Sequence, residues 1–241
     1  MDVTLYLAGI FAFAPTLILM YAVLRKYTYP AVEQPFFSDP SLFGLFVIGL
    51  IAGTALFAVY TYLSWVNIIY MVLFAVIECL IMVMVLNLKR FHGKSDTVFY
   101  GYGLGLGIGC TMAFGTIFYL GTAVMGIEEG ASIDLAGAVW LFVIALSQIL
   151  LLSSVGTTVG EGIARLRPME YAMQAILVTV IFNLVLAIAY SNTEGFMFYV
   201  LLFLAFVIAA AYFHYIMYAK LSRVIRDVLK MEGKTRKDVP K

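Results

Sequence analysis

Charge is scarce in this chain. Only 12% of its 241 residues are Asp, Glu, Lys or Arg, while 63% are apolar; a soluble domain is about a quarter charged. Such a chain cannot cover a water-facing surface, so its solvent must be lipid. Period-two alternation is also missing. The apolar runs are long and continuous, which excludes a membrane β-barrel. There are only two cysteines, Cys79 and Cys110, both inside apolar runs. They read as small packing residues and exclude a disulfide framework. The opening Met1-Asp2-Val3 lacks the basic region of a cleaved signal, so the first helix is expected to be retained. No nucleic-acid partner is expected.

What is present is a series of apolar runs at about 3–24, 41–63, 66–88, 97–125, 135–164, 169–190 and 196–219. A membrane-crossing helix needs roughly 20 such residues. The sequence therefore predicts an all-α, polytopic membrane protein with seven transmembrane helices. The breaks carry turn or charge signals: Arg25-Lys26 through Asp39-Pro40, Lys89 through Lys94, Gly126 through Gly130, Arg165-Leu166-Arg167-Pro168 and Ser191 through Gly195. Pro168 is suited to open a helix. The break near Ser64-Trp65 is the shortest, and Trp65 fits an interfacial anchor.

One side of this arrangement has no basic residue at all. The first, third and fifth loops and the tail hold 2, 3, 2 and 8 Lys/Arg, which is all 15 in the chain. The other side holds Asp2, Glu128, Glu129, Asp134 and Glu194. Basic segments stay in the cytosol, so the N-terminus is expected outside or in a lumen and the C-terminus in the cytosol, in a cell membrane or endomembrane. Merging the second and third helices would put basic loops on both sides. Residues 1–219 then form the seven-helix domain, and 220–241 a basic amphipathic cytosolic tail. In the tail, Leu221, Val224, Ile225, Val228 and Leu229 recur at helical spacing. The sequence predicts a helix lying on an anionic leaflet.

Ionisable residues at membrane depth are few. Glu78 falls mid-way along the third helix. A carboxyl there is expected to be neutral, paired or facing a wet cavity, as a functional site or as a hydrogen bond between helices. Gln148 and Asn183 are further buried polar residues, read as interhelical contacts. Glu161 precedes Arg165 by four residues, the favourable order for a helix-end ion pair. Gly101, Gly105 and Gly109 share one face of the fourth helix, Gly103 and Gly107 form an adjacent row, and Gly156 and Gly160 form a ridge on the fifth. Such ridges let two backbones approach closely in lipid. No strand precedes these glycines and no lysine follows, which excludes a phosphate-binding loop.

Histidine is nearly absent. His92 sits in the basic third loop and should be solvated. His214 lies in the seventh helix, at a depth from which it reaches Glu78 if the two helices are neighbours. Glu78, Cys79, Cys110 and His214 match no zinc-ligand pattern, and no metal or cofactor is expected. The middle of the seventh helix has no lysine, which excludes a retinal protein. No aspartate lies inside a helix core, which excludes an aspartyl intramembrane protease. A nearly solitary carboxyl is weak support for a small polytopic transporter.

With the third and fourth helices in view, the chain resembles the superfamily of PrsW-type and CAAX-processing intramembrane proteases. That superfamily includes the non-catalytic Aph subunit of gamma-secretase. Ile77-Glu78 stands at the paired-glutamate position of the proteases, the loop Lys89–Lys94 follows, and Tyr100-Gly101 opens the glycine ladder. The Aph subunit is similar in helix number, orientation, Gly-x-x-x-Gly-x-x-x-Gly and a stretch like Phe11-Ala12-Phe13-Ala14-Pro15. The departures are Ile77 for the first glutamate, Ile81 for a basic residue, and no histidine in the fifth and sixth helices. The resemblance implies a protease-dead relative, a scaffold for another intramembrane protein such as a presenilin-like protease. The enzymatic alternative is an atypical protease using Glu78 and His214.

Overall fold

The computed structural model describes residues 3–62, 68–127, 135–191, 195–234, 236 and 238–240. Its helices are α1 (Val3–Leu24), α2 (Asp39–Tyr62), α3 (Ile68–Leu86), α4 (Thr97–Ile127), α5 (Leu135–Ala164), α6 (Pro168–Ser191), α7 (Phe196–His214) and α8 (Leu221–Met231). A short 3-10 turn spans Lys89–Phe91, and a π-helical segment, Tyr215–Lys220, joins α7 to α8. No strand occurs among the described residues. Seven helices are long and apolar enough to cross a membrane. The chain is an integral membrane protein built as a seven-helix bundle. The break at Ser64-Trp65 and the residues Asp2, Glu128, Glu129, Asp134 and Glu194 lie outside the described residues.

Backbone hydrogen bonds close within each helix, as lipid requires, so side-chain shape decides which helices meet. α4 lies at the centre, packed mainly on α5 and α2. Residues 97–110 of α4 and 147–164 of α5 are buried on every side. The glycine rows explain this. A methyl group at Gly101 would strike the Gly156 carbonyl oxygen, and one at Gly105 would strike that of Leu152. One at Gly109 would lie 3.0 Å from Ile149 Cα, and one at Gly160 2.6 Å from the Thr97 carbonyl oxygen. The ridges of α4 and α5 are thus partners within one chain. The adjacent row works the same way on the opposite flank, where Gly107 meets Phe46 and Gly49 of α2. Gly49 and Gly53 of α2 complete that seam against Leu104 and Ile108. Two backbones in contact gain dispersion over their whole length, the main attraction left in lipid.

The segments carrying the basic residues gather at one end. The Gly93 amide donates to the Ile163 carbonyl at 3.4 Å, and the Ser95 amide to the Glu232 carboxylate at 2.5 Å. Tyr27 and Ser222 share a hydrogen bond of 3.0 Å, and an Arg236 guanidinium nitrogen donates to the Gln34 carbonyl at 2.6 Å. α5 ends there in a Schellman turn. The Arg167 amide reaches the Gly162 carbonyl at 2.8 Å, and the Leu166 amide reaches that of Ile163 at 3.1 Å. Leu166 adopts φ 61°, the left-handed conformation usually given to glycine.

The tail differs from the surface helix predicted above. Phe196–Met231 is a near-continuous helical stretch of 36 residues, about 54 Å at the helical rise, longer than the ~30 Å hydrocarbon core. α8 therefore continues beyond the membrane core. Its stripe of Leu221, Val224, Ile225, Val228 and Leu229 is buried in the protein's own apolar core, at 0–4% exposure. The helical periodicity is present, but the loops at the basic end provide an apolar platform, and the stripe covers them instead of a leaflet.

Candidate functional site

Glu78 is buried at 4% exposure. α3 positions it by leaning on α6 and α5 and touching α2 only slightly. Near that slight contact, Tyr60 of α2 donates a hydrogen bond to the Met71 sulfur at 3.4 Å, and its ring lies 4.8 Å from that of Phe74. The Glu78 side chain faces a cavity of about 20 Å³ with Tyr60, Met112, Gln148, Phe182 and Asn183 among its walls. Such a void has room for about one water molecule, and is a water-sized site rather than a passage.

The polar groups sort themselves within this cavity. Glu78 and the Asn183 carboxamide line the same cavity. A carboxamide both donates and accepts, so it suits either protonation state of its neighbour. Gln148 uses Nε2 to donate to Thr116 Oγ1 at 3.2 Å, while its buried Oε1 has no protein partner. Glu78, Gln148 and Asn183 are therefore brought together as walls of one site. Cys79, the next residue, shares a contact of 3.6 Å with Thr179 Oγ1, which ties α3 to α6.

His214 is not part of this site. It is exposed, its ring stacked on Tyr218 at 5.2 Å, and it does not line the Glu78 cavity. α7 packs chiefly on α5 and α6, and its inward positions go to Leu202, Ala205, Ala209 and Phe213. His214 follows the last of these and turns outward. His92 is exposed and bonded to Asn87 at 2.9 Å. Among the described residues no group of three His, Cys, Asp or Glu is placed to hold a metal.

A second polar cluster closes the basic end of the core. Glu161, 3% exposed, receives Arg165 Nε at 2.9 Å, as its spacing predicted, and also Lys220 Nζ at 2.6 Å. Arg165 extends the chain of charges to Asp227 at 3.0 Å. Burial opposes the Arg165 charge, but Asp227 and Glu161 outweigh it, and its pKa is raised. Lys220 also lies over the Tyr171 ring, 5.1 Å away. Lys220 and Asp227 come from the π-helical segment and α8, and no local spacing in the sequence announces their meeting with α5.

Comparisons of the chain with protein-family models, with curated proteins and with solved structures found no match.

Proposed function

We propose that this protein is a non-enzymatic membrane scaffold of the Aph/PrsW-like type that binds another intramembrane protein, such as a presenilin-like protease. The observation that carries the reading is the Glu78 carboxyl, buried beside Gln148 and Asn183 in a water-sized cavity with no histidine among its lining residues. The histidine that would have to act with it in an atypical protease faces outward from α7. A stiff bundle, with α4 held on both flanks by glycine seams, suits a protein that presents fixed helix surfaces to a partner. Fold-level likeness does not establish function, so the support rests on these contacts.

The test is purification after mild solubilisation, with photo-crosslinking in the native membrane. A discrete complex containing a second polytopic protein, retained by Glu78→Gln, is the expected result. A chain that is always monomeric and uncrosslinked counts against the scaffold. Cleavage of a membrane substrate that disappears in Glu78→Gln would replace this reading with the protease.

A further inference from the structure

Between the last turns of α1 and the first turns of α2 lies a groove of about 380 Å³, within the usual size of a small-molecule site. Its lower wall is apolar and exposed, with Leu17 50%, Tyr21 69% and Phe43 51% accessible. Leu17 lies eight residues before Arg25, so the groove runs roughly 12 Å along α1 from the basic end into the membrane span. Its upper rim carries two opposite charges, Arg25 just after α1 and Asp39 at the first turn of α2.

Those two are the charged residues among the groove's lining. Elsewhere Glu161, Glu170, Asp227, Glu232 and Asp238 are in ion pairs, while Glu33 and Asp96 are in none among the described residues. Arg25 and Asp39 line the same groove, yet neither is in an ion pair among the described residues. Arg25 only leans over the Tyr21 ring at 5.9 Å. A guanidinium offers a fork of N–H donors to a phosphate. A carboxylate accepts hydrogen bonds from a primary ammonium, whereas a quaternary ammonium has no N–H to give. An acyl chain fits the apolar wall below.

We propose that this groove is a binding site for a zwitterionic phospholipid with a primary amine, of the phosphatidylethanolamine class. Arg25 holds its phosphate, Asp39 its ammonium, and the α1–α2 wall one acyl chain. A purely anionic headgroup would meet repulsion from Asp39, and a choline headgroup would leave Asp39 without a donor. The site stands independently of the scaffold reading, because it uses neither Glu78 nor a protein partner.

Native mass spectrometry of the full chain tests this. The protein is released from nanodiscs containing equal phosphatidylethanolamine, phosphatidylcholine and phosphatidylglycerol, and the lipid adducts are counted. The expected result is one retained phosphatidylethanolamine, favoured over phosphatidylcholine by about tenfold, the value of one charged hydrogen bond. Arg25→Ala should lower total retention, while Asp39→Asn should equalise the two zwitterionic lipids. Both side chains are exposed, and thermal unfolding checks that the variants stay folded. The wild-type lipid ranking needs no variant at all. Equal retention of the two zwitterionic lipids by the wild type, a preference for phosphatidylglycerol, or indifference to both substitutions in folded protein would each overturn the site.

Discussion

Gly105→Ala is the sharpest test of how this bundle holds together. The added methyl would lie 3.0 Å from both Leu152 C and Ser153 Cα, and closer still to the Leu152 carbonyl oxygen. These are backbone atoms, so no side chain can swing aside and α4 must move away from α5. Opening that seam by roughly 0.5–1 Å forfeits a quarter to a half of each contact along it. Overpacking of this kind costs about 1–3 kcal/mol, against a gain of roughly 0.5–1 kcal/mol from replacing glycine in a helix. The net expectation is a loss of about 1–2 kcal/mol. Gly44→Ala is the control, because a methyl there meets nothing within 4 Å. It should be neutral or stabilising by up to about 1 kcal/mol. Gly109→Ala, with its nearest neighbour at 3.0 Å, should fall between the two. Reversible unfolding in mixed micelles, or steric trapping in bicelles, reads all three. Equal stabilities for the Gly105 and Gly44 variants would refute the claim that direct backbone contact joins α4 to α5.

Other substitutions address the remaining contacts. Glu161→Gln weakens the pairing of both Arg165 and Lys220, which keep 23% and 21% exposure and so reach some water; a loss of about 1–3 kcal/mol is expected by the same unfolding assay. Combined with Lys220→Met, the loss should be less than additive, and strict additivity would deny the pair. Leu166→Gly removes a left-handed leucine at 60% exposure and should raise stability by about 1 kcal/mol, whereas a decrease would show that its side chain packs usefully. Asn183→Leu replaces a polar wall of the Glu78 cavity with an apolar one and should destabilise by about 1–2 kcal/mol, while Glu78→Gln keeps a hydrogen-bonding group and should cost less; a reversed order would mean that Glu78 does not depend on Asn183. The tail contact should depend on pH. Burial raises the Glu232 pKa, but the Lys234 ammonium and the Ser95 amide outweigh it and hold it below the usual value. Its contribution is therefore present above the unfolded value of about 4.3 and is lost as pH falls through the lower folded value. Spin labels at positions 94 and 230 should stay close at pH 6 and separate in strong acid, and a Glu232→Gln variant that showed the same acid transition would assign it to another group.

Much of this protein was legible residue by residue. A helix in lipid satisfies its own backbone, so seven apolar runs announced seven helices within a few residues of their observed ends, and α4 runs to Ile127, slightly past its expected stop. The spacing of Gly101, Gly105 and Gly109 is a property of one helix, and so is the pairing of Glu161 with Arg165. What the sequence could not carry was the identity of each partner across space. Gly49 and Gly53 gain their meaning only against α4, and Lys220 and Asp227 only once the π-helical segment brings α8 beside the end of α5. The stripe of α8 was visible as a period, yet a period does not say whether lipid or protein lies opposite, and here the loops of the basic end fill that place. Depth along a helix can be counted, which put Glu78 and His214 within reach of each other. Rotation about the helix axis is decided by packing, and it sends Glu78 inward to Asn183 and His214 outward to Tyr218.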